Sequence, residues 1–310
     1  MLLNLKPIKT GANCYSNNWV LQICNYFGIS YQPFFLRYFN DYLRIVNKNH
    51  SILDSDPSTT MGKKYPIEKL IGIKFKQVDV QGDYWSYVIY EINNKIPVPI
   101  RIESSKLPWW QYRSQTERLI LIIGYDELNH KYVCADGYVT FEIQYLSKES
   151  IVSDAKIYKV DYDPMFLLNR QNAIDAILYG WDMQYINRKN DAMVEYNEYI
   201  QNNFLAHTER VSYKDLMIKP FIYNLSHFVF NREYFFRGVE YINQKSPMHK
   251  LANLLPLLEK LHQEWKVYKS LLIKSAINRN LRDLFLAGSL FNNLIKLEAI
   301  IAEKFLSIDI

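Results

Sequence analysis

The residues best suited to chemistry are Cys14 and the segment from Leu119 to Tyr138. Cys14 follows Gly11-Ala12-Asn13 and stands just ahead of a helical pattern over Tyr15 to Phe27, where Trp19, Val20, Ile23, Cys24 and Phe27 recur at helical spacing. A thiol at a helix N-terminus faces the positive end of the macrodipole, which favours the thiolate, the nucleophilic form. The second segment reads LILIIGYDELNHKYVCADGY: an apolar strand, a Gly124-Tyr125-Asp126 corner, a turn, a second strand, then Asp136-Gly137. Cysteine hydrolases and acyltransferases set a His at the start of the first such strand and an Asp or Asn at the end of the second. The sheet then holds base and orienter at a fixed separation while the helix brings the thiol to them. Asp136 stands at the orienter position. Cys24 lies ten positions along the helix, on its core stripe, and Cys134 lies within an apolar strand, so both read as packing residues. Three thiols at scattered spacings form no disulfide framework and no metal-ligand pattern.

The elements that must position these groups change character near residue 165. Before it, short segments alternate with turn signals, giving an expected α+β domain over 1–164. After it, helical periodicity runs almost to the end, giving an expected all-helical domain over 165–310. In the first half, helices are expected at Tyr15–Phe27, Phe34–Val46 and Asp83–Asn93, with a short helical turn at Pro66–Leu70 and a loop from Asn47 to Lys64. Strands are expected at Phe75–Val80, Val98–Glu103, Leu119–Ile123, Lys131–Ala135, Tyr138–Tyr145 and Ala155–Val160. The unbroken apolar run at Leu119–Ile123 marks a buried central strand. Helices in the second half are expected at Arg170–Asn202 (broken around Gly180 to Asn190), Ser212–Tyr241, Met248–Ile277 and Asn280–Phe305. Pro220 predicts a kink or split in the second of these. The stripe Leu251, Leu254, Leu255, Leu258, Leu261, Trp265 and Tyr268 reads as core.

Composition narrows the function classes. The 310 residues are 49% hydrophobic and 22% charged, enough apolar material for a packed core. A net charge of +5 without any Lys/Arg run argues against a nucleic-acid stripe and mildly favours acidic partners. The most apolar stretch, Phe285 to Ala302, is interrupted by Asn292, Asn293, Lys296 and Glu298, so no membrane span is expected. The protein is expected to be cytoplasmic, with reduced thiols. Asp182, Asp191, Glu195 and Glu198 make an acidic helix stretch without His at ligand spacing, a solvated face rather than a metal site.

Cys14 opening a helix, followed by the Leu119–Tyr138 hairpin, resembles the papain-like cysteine-peptidase fold. The set is most similar to the N-terminal domain of the butirosin-biosynthesis acyltransferase family. The likeness covers residues 5 to 160, and the helical half agrees in character only. The segment IRIESSKLPWWQY, Ile100 to Tyr112, joins it: a strand, an acidic residue, then Leu-Pro and aromatics. The resemblance implies that a thiol takes an acyl or peptidyl group from a carrier-protein thioester and passes it to a small amine or peptide, in natural-product biosynthesis of nonribosomal-peptide type. It implies no cofactor beyond the phosphopantetheine arm that presents the substrate. Acyl or peptidyl carrier proteins are then the expected partners, with no nucleic acid or membrane, and a homodimer is one expected arrangement.

The chain departs from the family pattern at two positions, the more serious at the general base. The family His stands six residues before Gly124, where this chain has Arg118, flanked by Glu117 and Leu119. The residue before the nucleophile, often His in the family, is Asn13. An Arg cannot accept a proton near neutral pH. It can hold a thiolate by charge, but supplies no acid for a leaving group and no base for an amine. Of the six His, His130 falls in the hairpin turn and His50 in the polar loop, while His207, His227, His249 and His262 fall in the helical half. Trp109 and Trp110, beside the expected cleft, are candidates to line a channel for an acyl chain or pantetheine arm. Three readings stay open: a transferase acting through acyl-Cys14 with Asp136 as orienter and Arg118 as charge stabiliser, a non-catalytic relative that binds a carrier, peptide or product, and a peptidase.

Overall fold

In a computed structural model of the chain, the described residues are 1–5, 18–39, 43–46, 54–57, 65–80, 83–110, 117–137, 140, 142–151, 155–179, 183–208, 212–218 and 220–308. Two units form. One comprises Met1–Tyr31 and Ile67–Leu167, the other Gln32–Pro66 and Leu168–Ile310. The second junction falls three residues from the expected 164/165 boundary. The first was not foreseen: Gln32–Pro66 leaves the N-terminal half and packs with the helices.

The first unit is mixed α+β. In chain order it contains α1 (Asn18–Tyr26) and, after the excursion, α2 (Glu68–Ile71), β3 (Ile73–Val78), α3 (Tyr84–Asn93), β4 (Val98–Glu103), β5 (Glu117–Asp126), β6 (Lys131–Ala135), β7 (Ile143–Ser147) and β8 (Lys156–Tyr162). The six strands form one sheet in the order β3-β8-β4-β5-β6-β7, every pairing antiparallel. Leu121 and Ile122 of β5 are fully buried, as the apolar run at 119–123 predicted for a strand covered on both faces. Met1–Leu3 adds to β5 beyond the end of β4, with Leu3 N–H donating to the Ile123 carbonyl at 2.8 Å and Tyr125 N–H to the Met1 carbonyl at 3.0 Å. Gly124 admits this close approach, since a Cβ there would stand 2.5 Å from the Met1 carbonyl oxygen. The Gly-Tyr-Asp corner thus has a structural cause at its glycine.

The two faces of the sheet carry different helices. Paired residues in antiparallel strands share a face, and the register aligns Ile157, Ile100, Ile120 and Ile102 with Arg118, Ile122 and Cys134. α3 covers this face, with Trp85 three residues from the buried Val88 and 5.0 Å from the Tyr132 ring. α1 stacks on the other, where Trp19 meets Phe75 at 4.4 Å and Phe27 meets Tyr162 at 4.2 Å between ring centroids.

The second unit begins with a 3-10 turn at Gln32–Arg37 and a two-stranded sheet of β1 (Leu43–Val46) and β2 (Asp54–Pro57). The sequence predicted a helix over Phe34–Val46 and a loop over Asn47–Lys64. Pro33 in the first turn and the Ile45-Val46 pair, which favours strand, account for the difference. The helices are α4 (Arg170–Leu178), α5 (Met183–His207), α6 (Tyr213–Ile218), α7 (Pro220–Lys245), α8 (His249–Ala252), α9 (Leu255–Asn278) and α10 (Leu281–Leu306). Pro220 opens α7 rather than kinking it, because a first-turn position needs no N–H donor.

At the centre of this unit sits Glu298 of α10, with side-chain exposure of 0%. Arg232 of α7 grips both its oxygens with one edge of the guanidinium, Nε–Oε1 at 2.7 Å and Nη2–Oε2 at 3.0 Å. Lys189 of α5 lies 2.6 Å from Oε2, and the Trp265 indole of α9 donates to Oε1 at 2.9 Å. The Arg232 guanidinium packs 3.9 Å from the Phe228 centroid and 4.8 Å from that of Phe39, while Nη1 donates to the Tyr38 carbonyl at 3.4 Å. A buried charge is tolerated only when paired and hydrogen-bonded, and this one ties four long helices to the inserted segment.

Candidate functional site

The site residues named from sequence divide three ways. Asn13 and Cys14 lie outside the described residues. Arg118, Asp136, Trp109 and Trp110 come together. Glu117 does not join them.

Arg118 is the second residue of β5 and pairs with Ile102 of β4. Asp136 follows the last residue of β6, two positions past Cys134, which pairs with Ile122. Alternation along both strands sets Arg118 and Asp136 on the same face, one rung apart diagonally. Both are nearly buried, at 5% and 4% exposure. The tryptophans enter from the turn after the short 3-10 segment Ser104–Lys106, which Trp110 N–H closes on the Leu107 carbonyl at 2.9 Å. The Trp109 indole donates to Asp136 Oδ2 at 2.9 Å. The Arg118 guanidinium carbon lies 4.2 Å from the Trp110 ring centroid, within cation–π range. Sequence reasoning offered the two tryptophans as channel lining. Here one orients the carboxylate and the other carries the guanidinium.

Glu117, one residue from Arg118, points to the opposite face. It is exposed and holds Arg101 at 3.2 Å and Lys156 at 3.2 Å. Those cations sit beside it because the β4–β5 and β4–β8 registers bring Arg101 and Lys156 to its face.

The thiols sort by burial. Cys24 and Cys134 are free and buried. Burial pushes the Cys24 thiol up to about 12 and raises the Cys134 thiol as well, with the nearby Asp136 adding to the second. Neither supplies a thiolate near neutral pH. His130 lies at the β5–β6 turn, at the far end of β5 from Arg118; eight strand residues separate Arg118 from Asp126, about 26 Å. His249 and His262 belong to the helical unit. Among the described residues, no group of three or more His, Cys, Asp or Glu is placed to hold a metal ion.

Fold and site together define an α+β unit with a buried Arg–Trp and Asp–Trp cluster at one end of a six-stranded antiparallel sheet, accompanied by a helical unit. The sequence matches no protein-family model and no curated protein.

Proposed function

We propose that the first unit is a papain-like domain that binds an acyl or peptidyl group presented by a carrier protein, without transferring it. The observation that carries this reading is Arg118. It stands where the family resemblance puts the general base, is nearly buried, and lies with its guanidinium on Trp110. A guanidinium neither takes a proton from an amine nor gives one to a leaving group at neutral pH. Asp136, the orienter, accepts the Trp109 indole N–H. The face these residues share is the one α3 covers, whereas the rings on which α1 stacks lie on the other. The cluster then serves as an aromatic and charged wall for a bound group.

The test is intact-protein mass spectrometry after mixing with acyl thioesters of a carrier protein, beside calorimetric titration of the same carrier. Binding is expected, weakened about tenfold by Trp110→Ala, with no acyl adduct. An adduct that disappears in Cys14→Ala would falsify the binding-only reading. It would install the second one, acyl transfer from the carrier to an amine through acyl-Cys14. The buried, protonated state of Cys24 and Cys134 favours that alternative insofar as it leaves Cys14 as the thiol able to react.

A further inference from the structure

The corner between α9 and α10 joins exposed apolar side chains to cations. From Trp265 to Ile300 there are six cations, Lys266, Lys269, Lys274, Arg279, Arg282 and Lys296, against two carboxylates, Asp283 and Glu298, a net charge of +4. Both carboxylates are buried and turned inward, Asp283 toward Lys274 at 3.4 Å and Glu298 into the Arg232 fork. The outer surface of the stretch therefore presents no carboxylate. Lys266 reaches Glu233 of α7 at 3.9 Å, but Arg279, Arg282 and Lys296 have no carboxylate partner among the described residues. At the same corner four large apolar side chains stand out: Ile277, Leu281, Phe285 and Leu286 are 47%, 71%, 73% and 44% exposed. Leu281 and Phe285 are one helical turn apart, and Ile277 is one of the last residues of α9.

We propose that this corner is a peripheral contact site for an anionic lipid surface. Apolar side chains projecting from a helical turn, flanked by the exposed Arg279 and Arg282, match the interface between headgroups and acyl chains. A lipid surface accepts such side chains without a matching pocket, which a protein partner has to supply. A second copy docked through the same corner would set Arg279 and Arg282 against their equivalents. α10 is long and apolar enough by composition to cross a bilayer. Its inward side, however, packs with α5 and α9 around Glu298, so the contact is made by the corner alone. The inference is independent of the reading given for the α+β unit.

The experiment is co-sedimentation of the full chain with vesicles of phosphatidylcholine alone and of phosphatidylcholine mixed with phosphatidylglycerol. Binding is expected to the anionic vesicles only, fading as salt rises. The double variant Leu281→Ser/Phe285→Ser should lower partitioning at least about tenfold, and Arg282→Glu should reduce the preference for anionic lipid. All three positions are exposed, so urea midpoints should stay with the wild type. No sedimentation at low salt, or equal sedimentation of wild type and both variants, overturns the proposal. So does a dimer at sedimentation equilibrium that Phe285→Ser dissociates, because the occupant is then a second copy.

Discussion

Two buried arginines, one in each unit, are held in different company. Arg232 lies in a carboxylate fork with an indole and two phenyl rings around it, and its partners come from α9, α10 and the inserted segment. Arg118 lies at the start of a strand against the face of Trp110, beside a carboxylate that a second indole orients. The first arrangement fixes helices to one another, so its loss is a loss of fold. The second gathers charge and aromatic surface where a strand end meets a turn, and under the proposed function its loss is chiefly a loss of binding. Burial of a cation is therefore no guide to role until its partners and their elements are known.

The comparison breaks most readily at the inserted segment. Phe34, Phe35, Leu36 and Phe39 are buried with the helices, each worth about 1.5–3 kcal/mol, in sum comparable to the whole stability of a domain. A fragment of residues 168–310 is expected to be unfolded by far-ultraviolet circular dichroism. A folded fragment would show that Gln32–Pro66 is a dispensable cover.

Next in size is Glu298→Ala, which leaves Arg232 and Lys189 buried without their carboxylate and should cost about 3–5 kcal/mol in urea unfolding. Arg118→Ala, which removes the cation–π contact with Trp110 and its packing, should cost less, about 1–2 kcal/mol. Equal costs would erase the distinction drawn between the two sites.

The same carboxylate predicts a pH dependence. Burial pushes Glu298 upward, but Arg232 and Lys189 more than reverse this and hold it down at about 2 against an ordinary 4.5. A folded-state value below the unfolded one means that the stabilisation is complete above the unfolded value and is lost as pH falls toward the folded one. Stability should drop by on the order of 3 kcal/mol between about pH 5 and pH 2, and Glu298→Gln should flatten that slope. A wild-type slope unchanged in Glu298→Gln would assign the acid sensitivity elsewhere. Smallest is Trp109→Phe, which removes one hydrogen bond to Asp136 and should cost about 1 kcal/mol, read as a shift in the urea midpoint.

Much of the fold was legible in local pattern. Strands β4 and β6 fall on the residues that alternation and the apolar run indicated, and α10 begins and ends within one residue of its expected span. These elements announce themselves because their periodicity and their end signals are contained in a few consecutive residues. The stretch around Phe34 did not, since its rings are buried by α7, some two hundred residues away in sequence: Phe35 stacks on Tyr234 with centroids 4.6 Å apart, and Phe39 on Phe235 at 4.6 Å. Glu298 did leave a trace, a charge set within the apolar stripe of α10, but the stripe alone reads as interrupted rather than as holding a buried acid. Of the candidate site, the sequence marked Arg118, Asp136, Trp109 and Trp110 individually. Which tryptophan serves which charge, and that Glu117 faces away, depends on strand register.

By itself, then, the sequence determined the identity and placement of the elements with strong internal period and the change of character near residue 165, and it set Arg118 where the family resemblance expects a His. Only the tertiary structure decided that Gln32–Pro66 belongs with the helices, that Glu298 is enclosed by two cations, and that Arg118 and Asp136 lie buried on one face of the sheet. The division has a physical cause. Local backbone preference and hydrophobic period act over a few residues. Compensation of buried charge and the choice of sheet face are settled by groups that meet only after the chain has closed on itself.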